Sequence, residues 1–77
     1  MHLEIITPDK KIYAGEVKSV SVPGALGRFQ ILKNHAPIIS SLLKGKVKVE
    51  DSEGTKEFEV NGGVVENLKN NVIILAE

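Results

Sequence analysis

Apolar side chains recur along this chain at alternate positions, and no ten-residue segment shows helical spacing. Leu3 and Ile5 alternate with His2 and Glu4, the period of a strand with one buried face. Thr7-Pro8-Asp9-Lys10 then places Pro8 at the second position of a turn, which predicts that the first strand ends at Thr7. From Ile12 the apolar positions run 12, 14, 17, 20 and 22. Each odd step inserts an extra residue into the pleat, so the pattern predicts one long strand with bulges near Gly15 and near Lys18-Ser19. Such bulges bend a strand from one sheet toward another.

Between Val22 and Pro37 the pattern predicts two tight turns and a His-Ala-Pro loop around a short strand containing Phe29 and Ile31. Gly24 and Gly27 can take positive φ, and Pro37 drives Ala36 into extended geometry, which stiffens the loop carrying His35. Ile38 to Leu43 reads as a strand; Ile38 and Ile39 cannot both face inward, so one of them needs a partner. Lys46–Glu50 and Lys56–Val60 flank Asp51-Ser52-Glu53-Gly54, a hairpin loop. Square closure sets Lys48 opposite Glu57, Lys46 opposite Glu59 and Val47 beside Phe58. Each charge pair is worth roughly 0.2–1 kcal/mol and helps to pin the register.

In isolation, Asn61-Gly62-Gly63 suggests a hairpin turn. Lys69-Asn70-Asn71 makes a second tight turn, since Asn tolerates positive φ. Val72 to Ala76 is apolar on both faces, so this strand is either central between two layers or has its outer face covered by a partner. The sum is an all-β fold, a two-layer β-sandwich of about eight short strands in a single domain over residues 1–77.

A chain of 77 residues buries only about 60% of its unfolded surface, so its stability margin is thin. With no cysteine, neither disulfides nor a Cys-type zinc site can add to it. Ten basic side chains balance ten acidic ones, which removes any overall field toward nucleic acid or an anionic membrane. The longest apolar run, Val72 to Ala76, is far below the roughly 20 residues that span a bilayer, and no charged-then-apolar leader follows Met1. The expectation is a soluble, unexported protein that reaches a membrane only through another protein.

Reactive groups are not concentrated anywhere. His2 and His35 lack metal-ligand spacing, Ser40-Ser41 lacks the glycine flanks of a nucleophile elbow, and no G-K-[ST] follows Gly24-Ala25-Leu26-Gly27. No catalytic, cofactor-binding or metal-binding residue is expected. Lys44, Lys46 and Lys48 read as a solvated sheet face neutralised by Glu57 and Glu59, because no aromatic residues interleave with them.

The segment Val22–Pro37, with Gly62-Gly63-Val64-Val65-Glu66 and the closing Val72–Glu77, resembles the N-terminal β-sandwich of the epsilon subunit of F-type ATP synthases. The resemblance runs from His2 to Glu77. It implies a non-catalytic rotor component at the base of the central stalk, joining the gamma subunit to the c-ring in proton-driven ATP synthesis and binding no cofactor. It implies a site on the cytoplasmic side of the bacterial inner membrane, peripheral through the complex. Gly27, Arg28, His35 and Ala36 are then expected against the c-ring, and Ile39 and Phe58 against the gamma subunit. The double glycine becomes a bend rather than a hairpin.

Two departures stand out. Arg28 occupies a position where the family often has a carboxylate. The chain ends at Ala76-Glu77, where family members usually continue into a pair of inhibitory helices, so it is expected to lack that brake. Plainer readings give His35 a hydrogen bond within its own loop and Phe58 a core position. The rival reading of the whole chain is a free-standing β-sandwich adaptor module unrelated to ATP synthase.

Overall fold

The computed structural model of the protein describes residues 1–77. Nine strands follow one another: β1 (His2–Ile6), β2 (Lys11–Glu16), β3 (Ser19–Gly24), β4 (Gly27–Leu32), β5 (Ile38–Leu42), β6 (Gly45–Asp51), β7 (Gly54–Val60), β8 (Gly63–Leu68) and β9 (Asn71–Ala76). Hydrogen bonding links them in the order β2-β1-β9-β8-β5-β3-β6-β7, with β4 attached to β3. The path folds over where β5 meets β3 through the single pair Gly24–Leu42. One layer is therefore β2-β1-β9-β8-β5 and the other β4-β3-β6-β7. Alternation does what the sequence implied: Leu3, Ile5, Val47, Val49, Val72 and Ile74 all point inward and are fully buried in one shared core.

The strand count exceeds the expected eight because the segment 12–22 breaks in two. Val17 N–H donates to the Met1 carbonyl at 2.8 Å, while Lys18 N–H donates to the Glu50 carbonyl at 2.7 Å. Consecutive amides thus serve opposite layers, and the chain crosses between them at this point. The corner lies where a bulge was expected near Lys18-Ser19. The bulge expected near Gly15 is instead at Ile12, where the β1–β2 register skips one residue between Tyr13 opposite Ile5 and Lys11 opposite Ile6. The first strand ends one residue early, at Ile6, and the Pro8 turn is closed by Thr7 N–H donating to the Lys10 carbonyl at 2.8 Å.

The β6–β7 hairpin has the expected register, with Lys46 opposite Glu59, Val47 opposite Phe58 and Lys48 opposite Glu57. The charges pair differently. Glu57 draws both Lys46 (3.6 Å) and Lys48 (4.0 Å), and Glu59 has no ion pair. Exposed pairs of this kind contribute about 0–1 kcal/mol, against about 1.5–3 kcal/mol for each buried valine, so Val47 and Val49 set the register.

Of the two turn glycines, only Gly27 takes positive φ, at 131°. Gly24 is needed for space: a Cβ there would lie 2.6 Å from the Phe29 ring and 2.7 Å from the Gly27 carbonyl. Asn61-Gly62-Gly63 is not a hairpin, since β7 pairs only with β6 while β8 lies between β5 and β9. It is the bend that the family resemblance implied. Gly63 has φ 143°, and a Cβ on it would lie 2.2 Å from the Leu75 carbonyl oxygen. The expected β8–β9 turn is present, but its positive φ values fall on Lys69 (51°) and Asn70 (63°), while Asn71 already opens β9.

The free edges β2 and β7 meet without backbone bonds. Tyr13 on β2 packs edge-on against Phe58 on β7, with ring centroids 5.5 Å apart, and its hydroxyl donates to Asp51 Oδ2 at 2.8 Å. Asp51 also accepts from Lys56 Nζ (2.7 Å) and from the Glu53 amide (2.8 Å). The Lys56 hydrogen bond first, then those of Tyr13 and the Glu53 amide, holds the Asp51 carboxyl at about 2. Burial, with the nearby Asp51 carboxylate, pushes the Tyr13 hydroxyl above its usual range.

Three outcomes follow from this seam and from the bend. Removing the hydroxyl in Tyr13→Phe is expected to cost about 1 kcal/mol by chemical denaturation. Because Asp51 ionises at a lower pH folded than unfolded, its stabilisation is complete above about pH 4 and is lost as pH falls toward about 2. Melting temperature should drop across that window, and less so in Asp51→Asn. Gly63→Ala is expected to cost about 2–5 kcal/mol, because it adds overlap with Leu75 to a strained φ.

Candidate functional site

The expected contact residues fall into separate groups. Gly27 and Arg28 open β4, and His35 and Ala36 lie in the loop beyond its other end, with His35 N–H donating to the Leu32 carbonyl at 3.0 Å. About 13 Å of strand separates Arg28 from Leu32. Arg28 is engaged within the sheet: its guanidinium donates to Ser21 Oγ at 2.9 Å and to the Lys46 carbonyl, lying across β3 toward β6. The full exposure of Leu26 at the β3–β4 turn makes it the projecting side chain there, a residue that sequence reasoning passed over.

His35 is half-buried, and its Nδ1 lies 2.7 Å from the Ala36 carbonyl. Since a carbonyl only accepts, Nδ1 carries the proton. The plain reading of a bond within the loop is therefore realised, and it leaves Nε2 without a partner in the chain.

Ile39 and Phe58 lie on different strands, β5 and β7, and differ in burial. Ile39 faces outward from β5 and is 71% exposed, whereas Phe58 is partly buried against the core and packed on Tyr13. Ile38 takes the inner orientation, so Ile39 is the member of that pair left without cover.

Ile39 belongs to a larger outer face. Cross-strand register sets Leu75 between Ile6 and Val64, and Ile73 between Glu4 and Glu66, with Ile39 beyond Glu66. Leu75 is 54% exposed. Ile6, Val64, Ile73 and Leu75, with Glu66, line a groove of about 320 Å³. Glu4 is held below the usual carboxylate range, first by its hydrogen bond to His2 and then by Lys11. The strand Val72–Ala76 is central within its layer, between β1 and β8, and its outer face is apolar and uncovered in the chain by itself. The signal for Ile73 and Leu75 lay in that two-faced apolar run; Val64 and Ile6 needed the register.

The molecule is a β-sandwich whose chemistry lies in an acid-rimmed apolar face and two loop ends. Over residues 1–77 it matches the family described as ATP synthase, delta/epsilon chain, beta-sandwich domain, and the chain belongs to that family. Its members include an ATP synthase epsilon chain of Caulobacter vibrioides, 40% identical over 77 residues, covering 100% of this chain and 90% of that one. The epsilon chain of Chlorobium limicola is 43% identical over 76 residues, covering 97% and 86%. That of Leptospira borgpetersenii is 40% identical, and there the match takes in 61% of the relative.

Solved structures share the fold. A chain of the Euglena gracilis mitochondrial ATP synthase superposes with a TM-score of 0.89 at 21% identity, over 96% of this chain and 48% of that one. A chain of the Tetrahymena thermophila enzyme's central stalk and c-ring gives 0.83 at 16% identity, over 97% and 61%. The epsilon chain is a non-catalytic subunit of its complex, and the reading as an adaptor unrelated to ATP synthase is overturned.

His35→Ala is expected to change stability by less than about 1 kcal/mol in thermal unfolding, because the ring's one bond is to its own loop. A larger loss would make His35 a structural residue rather than a contact.

Proposed function

We propose that this chain is the rotor element at the base of the central stalk of an F-type ATP synthase, coupling the gamma subunit to the c-ring during proton-driven ATP synthesis. The observation that carries the reading is the uncovered face formed by Ile6, Val64, Ile73, Leu75 and Ile39 in a domain of the epsilon type. A small domain leaves such a face open only at a cost in solubility, and partner burial removes that cost. The gamma subunit is the occupant of this face, with Ile39 at its border. Phe58 contributes by holding the seam behind it. Gly27, Arg28, His35 and Ala36 meet the c-ring at the two ends of β4.

Glu66, which lines the apolar groove and has no ion pair in the chain, selects a basic group on the gamma side. No helix is long and apolar enough to cross a membrane. We place the chain on the cytoplasmic side of the bacterial inner membrane, held there through the complex. Two packed layers suit the role because a close-packed interior yields little under torque. Inhibition of hydrolysis is not assigned to these 77 residues.

Titration of the gamma subunit from the same source is expected to give a complex with a negative heat-capacity change. Leu75→Asp should abolish that complex while leaving the melting temperature within a few degrees of wild type, since the side chain is already half in solvent. Binding that survives Leu75→Asp would remove this face from the interface. Added to the catalytic subcomplex with gamma, the chain should assemble without slowing ATP hydrolysis; strong inhibition would assign a braking role to the sandwich.

A further inference from the structure

The loop carrying His35 is tied to a different part of the chain from the strands that flank it. Asn34 N–H donates to Asn70 Oδ1 at 2.7 Å, and Asn70 Nδ2 donates back to Asn34 Oδ1 at 3.2 Å. Both residues are left-handed, with φ 67° and 63°, a conformation that asparagine tolerates better than most residues. Beneath them, Asn67 Nδ2 reaches the carbonyls of His35 (3.1 Å) and Ala36 (3.3 Å). Two asparagines of the β8–β9 hairpin therefore hold three successive residues of the loop.

Asn67 is an unusual residue for its place. It is 2% exposed, it takes an inward position of β8 next in series to Val65, and its Oδ1 has no hydrogen-bond partner. A buried carbonyl oxygen left unpaired is destabilising, and an aliphatic side chain would satisfy the alternation of β8 without that cost. The benefit of the amide lies in its Nδ2, which engages only the loop.

The same clasp arranges charge. Lys33 and Lys69 adjoin the paired asparagines in the chain, both are exposed, and neither forms an ion pair. The nearest carboxylate along the hairpin, Glu66, belongs to the outer face between Ile39 and Ile73. Lys33 and Lys69 give the loop and the turn local positive charge, while Glu16 at the same end of the sheet is already paired with the Met1 amine and His2.

We propose that Asn67, with the Asn34–Asn70 pair, is a positioning residue that joins the His35 loop and the β8–β9 turn into one preorganised basic docking end for an acidic loop of the rotor. The proposal rests on the rotor reading above. A loop already held in its bound shape loses little conformational freedom on docking, so its affinity depends on the clasp as well as on the contacting side chains.

The test combines backbone order parameters of residues 34–36 in the free protein, melting temperature, and affinity for a purified gamma–c-ring rotor from the same source at several salt concentrations. Asn67→Val is expected to melt no lower than wild type, with order parameters falling from about 0.85 toward 0.6 and rotor affinity about tenfold weaker. The double variant Lys33→Ala, Lys69→Ala should keep the loop rigid, weaken binding and flatten its salt dependence. Asn70→Gly keeps the left-handed turn and gives the same readings if Asn67→Val does not fold.

A rigid loop in both asparagine variants would overturn the clasp, and a loosened loop with unchanged affinity would overturn its role in docking. Lysine-dependent binding to vesicles of anionic lipid, with none to the rotor, would overturn the proposed occupant. Failure of the wild-type chain to bind the rotor would overturn the rotor reading and the docking role together. The order parameters of the free protein decide the clasp independently of that outcome.

Discussion

A curled sheet has two ends, and in this protein nothing in the backbone joins them. Strands β2 and β7 terminate the hydrogen-bonded path, yet both belong to one core. The joint is made by one tyrosine: its ring packs on Phe58, and its hydroxyl feeds a carboxylate already held by Lys56 and the Glu53 amide. Side-chain closure of this kind tolerates small adjustments that a continuous ladder would resist. It also ties β2, which hangs from β1 alone, to the β6–β7 hairpin, so that the two layers cannot open like a book.

With the seam and the corner at Val17–Lys18 in place, the inner faces of both layers are committed to the core, and function is left to the outer surfaces. These differ in chemistry. The β1–β9–β8 face is apolar with Glu66 among its side chains, the clasped loop end carries Lys33 and Lys69, and Arg28 braces β3 toward β6 at the start of β4. Several charges are paired locally, as in Lys46 and Lys48 with Glu57 and Lys11 with Glu4, and Lys33 and Lys69 are among those left free.

The costs found in the fold concentrate beside those surfaces. Gly62 and Gly63 take φ values that other residues adopt only under strain, where β7 bends away to let β8 enter the opposite layer beside Leu75. Asn67 buries an unpaired oxygen directly under the His35 loop. Elsewhere the chain follows local preference closely: alternation, turn residues and backbone agree, as expected of a small domain with little stability to spare.

Alternation in Leu3–Ile5, Val47–Val49 and Val72–Ile74 was legible because a strand's two faces are set by covalent geometry, and the turns at Pro8, Gly54 and Asn70 were legible because Pro, Gly and Asn are the residues that turns favour. The sequence by itself thus determined the all-β class, the register of the β6–β7 hairpin and the excess of apolar positions in the last strand. Where Ile12 rather than Gly15 takes the bulge, which edge Tyr13 closes, and that Arg28 reaches Lys46 were decided only by the tertiary structure. Each depends on strands distant in the chain meeting in space, and no local propensity encodes which of several distant partners a side chain will reach. The buried Asn67 is the clearest case: the sequence analysis gave it no role, and only the arrival of the His35 loop across β5 turns its amide into the part that holds the loop.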